Sequence, residues 1–452
     1  MKIVIVGNGV AGVEAAMAIR AREPRWAITI VSEESDHFFS RTALLYVLAG
    51  QLSHRCMEPH ERDLYERLRL TRVRARAIGV DVEKKELRLA GGLDPLPYDR
   101  LLIACGSEAR RAPWPGVELG GVGTFVTLQD LEWLERELHG GPSHGGRPPN
   151  ADAHLARTSA GSPYLPRKAA RERTGKAPVH PVVIGGGLIG IEVVEAMIAA
   201  GLRPAFVIRE EHFWPLALDR REAAWVAERL REHGADVRLG EEVVALEGDE
   251  VIAKVRTDRG ELPCDLCVVA IGVVPSTGWL RESAIELDDH GGVVVDAGLS
   301  TSATDVFAAG DCASVPQADG TKRPEPLWYT ARAQGRVAGA AVCGDPARYD
   351  RGVPYNSAKL MDVEYTTVGR VTSEPSEADF YFEERGPVRS TTRIVLAEDG
   401  RVAGFNLLGR RWDHSVLMRW IEERRPLKHV LAHLDEAAFD TELVPRLVLP
   451  PG

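Results

Sequence analysis

The sequence predicts an α/β chain: two Rossmann-like dinucleotide-binding units followed by a C-terminal α+β domain. Three observations carry this. A short apolar strand, Ile3–Val6, runs into Gly7-x-Gly9-x-x-Gly12 and then a helix. The stretch Pro181–Glu195 restates that pattern with Gly185, Gly187 and Gly190. From Tyr349 onward the pattern changes to short antiparallel β-strands.

The glycine spacing suits a dinucleotide pyrophosphate. The first glycine permits the tight turn, the second lets phosphates approach bare backbone, and the third lets helix and strand pack closely. The helix N-terminus behind the loop offers free N–H groups and a partial positive charge. Glu33 ends the next strand, Ala27–Val31, where a carboxylate can accept hydrogen bonds from a ribose. The offset between the two glycine turns carries Glu33 onto Glu211, with Glu210 beside it, after the strand Ala205–Ile208. It also carries Glu14 onto Glu192, each read as lying in the first turn of its helix, where negative charge complements the helix dipole.

Between and beyond these turns the elements follow in order. Asp36–Gly50 reads as helical from Thr42, and His54–Arg76, rich in Arg and Glu, as a solvated helical face. Asp81–Leu89 suggests a hairpin and Leu101–Gly106 an apolar strand ending at glycine. Gly140–Pro178 has few large apolar residues and reads as a mobile insertion. After the second turn come a helix at Ala223–His233, a strand at Asp236–Leu239, a hairpin at Val243–Thr257 and a strand at Leu266–Gly272. Gly292–Asp296 and Val306–Asp311 are short strands, and Leu327–Cys343 is a helix with small residues spaced for close packing. In the last region Glu398-Asp399-Gly400 marks a hairpin. Asp413 is placed to cap a helix whose Val416, Leu417, Trp420 and Ile421 share a face.

Composition narrows the function classes. The chain has 452 residues, 44% hydrophobic and 27% charged, with a formal net charge of -10, which argues against a nucleic-acid binder. No apolar run reaches membrane-span length, and the glycine-broken start is not a signal peptide, so a cytoplasmic location with no membrane partner is expected. Six cysteines without framework spacing fit a reducing compartment, and the histidines form no metal-ligand motif, so no metal is expected.

The two glycine turns, with LLIACG, LCVVAIG and VFAAGD in this order, resemble the two-dinucleotide-binding-domain flavoproteins, the pyridine nucleotide–disulfide reductase-like oxidoreductases. The resemblance implies FAD at the first turn and NAD(P)H at the second. It places Gly7, Gly9, Val10, Ala11 and Gly12 around the FAD pyrophosphate and Glu33 on the adenosine ribose. Arg41, Ala104 and Gly106 belong to the same cofactor site, with Asp311 at the ribityl chain or pyrophosphate and Leu327, Trp328 and Tyr329 near the isoalloxazine. For NAD(P)H it implies Gly185, Gly187, Leu188, Ile189, Gly190, Arg209, Glu210, Glu211 and Gly272. Glu192, the catalytic candidate, would help position the reactive rings. The implied domains are residues 1–112 and 285–348 for FAD, 113–284 for NAD(P), and 349–452 as a C-terminal interface domain supporting a homodimer.

Within the family, FFSRTALLYVLAG is most similar to the ferredoxin-, rubredoxin- and nitrite-reductase-like branch, although Thr42 replaces a usual proline and Tyr46 stands where a flavin-contacting Lys is common. No Cys lies between residues 36 and 50, where disulfide- and peroxide-reducing members need one, so those readings are set aside. Cys264-x-x-Cys267 begins a strand rather than a helix and is read as a decoy; Cys56 is read as a surface thiol. Glu210 and Glu211 favour NADH over NADPH, while Arg209 offers a partner to a 2′-phosphate. The expected activity is hydride transfer from NAD(P)H to flavin and onward delivery to a ferredoxin- or rubredoxin-like carrier or a reductase partner. The alternatives are an NADH oxidase or quinone and small-molecule reductase, and a non-catalytic nucleotide sensor. The Arg-rich stretch Arg55–Arg76 offers a docking face for an acidic carrier if its charges are not internally balanced.

Overall fold

A computed structural model describes residues 1–139, 180–385 and 389–439; the insertion expected at Gly140–Pro178 lies outside them. Along the chain the elements that position the site begin with β1 (Lys2–Val6), α1 (Val10–Arg22), β2 (Ala27–Ser32), β3 (Leu70–Arg74), β4 (Arg100–Ile103) and α2 (Leu128–His139). Next come β5 (Pro181–Ile184), α3 (Leu188–Ala199), β6 (Ala205–Ile208), α4 (Arg220–Glu232), β7 (Asp236–Leu239) and β8 (Leu266–Val269). They are followed by β9 (Val306–Ala308), α5 (Trp328–Val342), β10 (Tyr355–Leu360), β11 (Val363–Gly369), β12 (Phe380–Arg385), β13 (Arg389–Leu396), β14 (Val402–Leu408) and α6 (His414–Glu422). The chain divides into two compact units. Unit 1 comprises Met1–Pro113, Gly120–Ala177 and Gly272–Asp350; unit 2 comprises Trp114–Leu119, Pro178–Ile271 and Arg351–Gly452.

Unit 1 is built on a parallel sheet in the order β9-β4-β1-β2-β3. Its central strand is a run of β-branched residues, and Ile3 and Ile5 are fully buried because both sheet faces are covered. The chain passes from β1 to β2 on one side and later enters β4 on the other, so a crevice opens at the carboxyl ends of the strands. Helix α1 packs against α5 through small residues. A Cβ at Gly335 would lie 2.4 Å from the Ala11 carbonyl oxygen, and one at Gly339 would lie 2.7 Å from that of Ala15. At this separation Glu14 is reached by Arg332 and Arg336, whose Nε atoms donate to its two oxygens at 2.8 Å each. Burial alone would raise the Glu14 carboxyl; the hydrogen bonds from Arg336 and Arg332 reverse that and hold it below the ordinary value. The dipole reading of Glu14 is therefore corrected: α1 starts at Val10, so Glu14 lies in the second turn, and it acts as a buried anchor for α5.

Two other local expectations meet the structure differently. The segment read as helical from Thr42 is helical in the structure, as a 3-10 turn at Arg41–Ala43 leading into the short α-helix Leu44–Leu48. The stretch His54–Arg76 is not one helix but a 3-10 turn at His54–Met57, one helical turn at Leu64–Arg67 and the edge strand β3. Arg69 adopts a left-handed φ of 52°, which ends the helical turn, and ladder pairing of β3 with β2 outweighs the helix propensity of its arginines. The guanidiniums are balanced locally: Arg55 and Arg62 meet Glu58, Arg67 meets Glu61, Arg72 meets Glu66, and Arg74 meets Asp36.

In unit 2, four parallel strands run in the order β7-β6-β5-β8. The C-terminal part is an antiparallel sheet in the order β10-β11-β14-β13-β12, with α6 capped by Asp413, which accepts from the Ser415 amide at 2.9 Å. Leu417 and Trp420 of α6 are buried against Phe405 and Val402. Helix α4 opens with a capping box between Asp219 and Glu222, and Glu222 is then met by Arg393 of β13 at 2.8 Å, both side chains fully buried. Asn406 donates to the same carboxylate at 2.9 Å. Such a pair costs desolvation to form, and removing one partner would strand a buried charge, so it fixes the register of sheet on helix.

The α1–α5 contact generates the first prediction. Gly335→Val cannot be accommodated without parting the helices, because the intruded atom is backbone. Urea unfolding at pH 7 is expected to show a loss of about 3 kcal/mol or more; a loss below about 1 kcal/mol would mean that the helices separate freely.

Candidate active site

The two glycine turns fold alike. In unit 1, Gly7 has a φ of +117°, and a Cβ there would sit 2.0 Å from the Ala104 carbonyl oxygen. A Cβ at Gly12 would sit 2.1 Å from the Gly7 oxygen, whereas one at Gly9 would meet nothing within 4 Å. In unit 2, Gly185 has a φ of +115° and its Cβ would lie 2.4 Å from the Ala270 oxygen; that of Gly190 would lie 2.0 Å from the Gly185 oxygen. Gly187 again faces open space. The outer glycines are thus required by the fold, and the middle ones are required only by something that approaches from outside. Helices α1 and α3 begin directly after Gly9 and Gly187, and neither glycine N-cap offers a side-chain acceptor to the first amides. The leading amides Val10, Ala11 and Gly12, and likewise Leu188, Ile189 and Gly190, have no intrahelical acceptor and are available to an anion.

Around the first turn, the loop after β4 brings Ala104 and Gly106 to the crevice, and the loop after β9 brings Asp311. Ser107 Oγ donates to Asp311 Oδ2 at 2.8 Å, and the Gly310 amide donates to Gln334 Oε1 at 2.8 Å, so α5 holds this loop in place. Burial pushes the Asp311 carboxyl up, opposed by the Ser107 hydrogen bond and the charge of Arg41. Arg41 itself is engaged: its Nη1 and Nη2 donate to Glu34 at 2.9 and 2.6 Å, and Nη1 also donates to the Val126 carbonyl at 2.5 Å. Leu128 at the start of α2 donates its amide to the same Glu34 at 3.0 Å. Glu33 accepts from Arg76 Nε at 2.7 and 2.9 Å. Leu327 precedes α5, and Trp328 and Tyr329 open it with their rings edge to face at 5.6 Å. Trp328 Nε1 is buried without a hydrogen-bond partner among the described residues. Ser107, Gln334 and Glu34 carry no motif signal and escaped sequence reasoning; only the adjacency of Ser107 to LLIACG pointed towards it.

Around the second turn, Arg209, Glu210 and Glu211 follow β6 as expected, and Arg209 Nη2 is paired with Glu210 Oε1 at 3.0 Å. Gly272 follows β8 with a φ of +99°. Glu192 lies on α3, which starts at Leu188; like Glu14 it is in the second turn rather than the first. Its carboxyl has no hydrogen bond or ion pair among the described residues, and burial, then the charge of Glu195, pushes it up to about 7. Glu195 is held by Lys359 Nζ from β10 at 2.7 Å. The two turns thus share a frame but differ at the matched carboxylate: Glu14 is clamped by two arginines, and Glu192 is left to titrate.

Cys264 and Cys267, the pair with CxxC spacing, are not set at a helix N-terminus. Cys264 and Cys267 are buried, Cys267 sits in the ladder opposite Val182, and its thiol is pushed well up by its hydrogen bond with Cys264 and by burial. Cys56 is exposed and free. Among the described residues no group of three or more His, Cys, Asp or Glu is arranged to hold a metal.

A family model described as pyridine nucleotide-disulphide oxidoreductase matches residues 1–335, and the chain belongs to that family. It is 27% identical over 94% of its length to the NADH-dependent phenylglyoxylate dehydrogenase subunit epsilon of Aromatoleum evansii, covering 92% of that protein. It is also 27% identical to the ferredoxin reductase component of the chlorobenzene dioxygenase of Cupriavidus sp. (strain PS12), covering 94% of this chain and 93% of that one. Among solved structures, the covalent putidaredoxin reductase–putidaredoxin complex matches in fold with a TM-score of 0.76 at 23% identity, over 94% of both chains.

Glu192, unpaired among the described residues, sets a pH prediction. Its folded value of about 7 lies above the ordinary 4.5, so its contribution to stability is fully present below pH 4.5 and is lost as pH rises through 7. The loss is on the order of 3 kcal/mol. Glu192→Gln does not titrate, so the variant should gain on the natural protein between pH 4.5 and 8 in urea unfolding of the apoprotein. A constant gap across that range would show that Glu192 is not perturbed.

Proposed function

We propose that this member of the pyridine nucleotide-disulphide oxidoreductase family is an FAD-dependent NAD(P)H oxidoreductase that hands electrons to an external protein acceptor. The observation that carries the reading is the doubled turn whose middle glycines, Gly9 and Gly187, border open space beside uncapped helix N-termini. That cradle fits the pyrophosphates of FAD and NAD(P)H. FAD, when bound, supplies a ring that accepts hydride from a nicotinamide and releases electrons singly or in pairs.

The chain's own residues supply binding and orientation. Gly7, Gly9 and Gly12, with the amides of Val10 and Ala11, would hold the FAD pyrophosphate, and Glu33 the adenosine ribose. Asp311, kept in place by Ser107, would face the ribityl chain or pyrophosphate; Arg41, Ala104 and Gly106 would complete that wall, with Leu327, Trp328 and Tyr329 beside the ring. Gly185, Gly187, Leu188, Ile189 and Gly190 would hold NAD(P)H, with Gly272 after β8, and Glu192 would orient the nicotinamide. NADH is the proposed donor: Glu210 and Glu211 present carboxylates to a ribose, and Arg209 is already paired with Glu210, which leaves less positive charge for a 2′-phosphate.

A ferredoxin- or rubredoxin-like carrier, or a larger dehydrogenase to which the chain would belong as a subunit, is the proposed acceptor. The names of the two similar proteins support it, as does the lack of any Cys between residues 36 and 50 to take electrons within the chain. The internal pairing of Arg55, Arg62, Arg67 and Arg72 argues against that stretch as the carrier's docking face. We further propose a cytoplasmic homodimer formed through the region from Tyr349 on. Among the described residues no helix is long and apolar enough to cross a membrane.

Anaerobic mixing of the flavin-loaded protein with NADH and with NADPH tests the reading. Rapid bleaching of the oxidised flavin band is expected, faster with NADH; a flavin that stays oxidised with both would sink it. Reoxidation by a ferredoxin rather than by dioxygen identifies a protein acceptor, and fast reoxidation by dioxygen identifies an oxidase instead. The middle glycines separate the two sites. Gly9→Val should fold and purify without flavin, while Gly187→Val should keep its flavin and bind NADH at least about tenfold more weakly, about 1.4 kcal/mol.

A further inference from the structure

Helix α3 reads LIGIEVVEAMIA, with two carboxylates in an otherwise apolar or small-residue stretch. Glu192 and Glu195 are three residues apart, so they share a face one turn apart, where like charges oppose each other. Their surroundings differ. Glu195 Oε1 accepts from Lys359 Nζ at 2.7 Å, while Glu195 Oε2 is buried with no hydrogen-bond partner. Glu192 has no partner among the described residues. Of the two strands packed most closely on α3, β5, with sequence PVVI, carries no titratable side chain, and β10 contributes Lys359, whose ladder partner is Glu364 on β11. Lys359 therefore places a positive charge against Glu195, one turn from Glu192.

We infer that Lys359, from the C-terminal sheet, is a positioning residue for Glu192: by compensating Glu195 it sets the protonation state that Glu192 presents to a bound nicotinamide. The inference rests on the proposed role of Glu192, and it gives β10 a function beyond the sheet. Without Lys359, two half-buried carboxylates share one helix face uncompensated, so the pair must keep a proton to higher pH. Without the Glu195 charge, Glu192 loses its like-charged neighbour and releases its proton at lower pH. Lys359 acts through Glu195, so its removal should matter only while Glu195 is ionisable.

The test follows the Glu192 carboxyl directly by 13C NMR in glutamate-labelled, flavin-loaded protein without NADH, its resonance identified by its loss in Glu192→Gln. Lys359→Met should raise the apparent titration by about one pH unit and Glu195→Gln should lower it by a similar amount. Lys359→Met added to Glu195→Gln should move nothing further, and Lys359→Arg should restore the natural titration. A Lys359→Met titration within about 0.3 unit of the natural one overturns the inference, as does an equal shift in the Glu195→Gln background. Should Lys359→Met not fold, Lys359→Gln and the Glu195→Gln titration decide on the same criteria. The pH profile of flavin reduction by NADH is measured alongside. If Glu192→Gln leaves that profile unchanged while the NMR shifts occur, the catalytic role of Glu192 fails and the coupling stands; if the profile loses its titration in Glu192→Gln but Lys359→Met moves neither readout, the coupling alone fails.

Discussion

The structure depends on close approach of backbone to backbone at the two glycine turns. Where Gly7 and Gly12 lie, a carbonyl oxygen already occupies the place a side chain would take, at 2.0 and 2.1 Å. No side chain can be added at either without moving strand from helix. This contact aims the first helix end at the crevice beyond the strands, and the same geometry recurs at Gly185 and Gly190. The middle glycines relieve no internal clash, so their absent side chains are room left for a ligand.

A second close approach is built on the first. With α1 fixed by its turn, Gly335 and Gly339 let α5 lie against the Ala11 and Ala15 backbone, and Glu14 fastens the pair through Arg332 and Arg336. Gln334, buried in the same seam, then reaches the Gly310 amide and holds the loop bearing Asp311. A carboxylate far along the chain is thus placed by helix packing rather than by local turn chemistry. In unit 2 the role of the matched helix differs. Among the described residues position 192 has no arginine pair, and the cation from β10 goes to Glu195 instead. One duplicated scaffold therefore yields a structural carboxylate in one copy and a titratable one in the other.

The local parts of this were legible in the sequence because they depend on neighbours in the chain. Glycine spacing, the apolar strands read at Leu101–Gly106 and Leu266–Gly272, which stop at Ile103 and Val269, the small-residue spacing of α5 and the Asp413 cap all follow from steric and capping rules acting over a few residues. The reading of His54–Arg76 failed for the opposite reason. Its charge pattern suits a helix surface, but a left-handed turn at Arg69 and a vacant sheet edge beside β2 draw residues 70–74 into a strand. The first-turn placement of Glu14 and Glu192 also failed, since the helices begin at the residue after the middle glycine rather than after the third.

By itself, then, the sequence determined that two dinucleotide turns exist, in what order, and that no cysteine accompanies the first of them in the segment where a redox thiol would act. Those facts are matters of residue identity and spacing. Only the tertiary structure decided which charges are spent and which remain available: Arg41 on Glu34, Arg209 on Glu210, Glu14 on two arginines, Lys359 on Glu195, and Glu192 on none among the described residues. The physical reason is that ion pairing and desolvation act across space at a few ångströms. They join residues as far apart as 14 and 336, or 195 and 359, which no rule of local spacing connects.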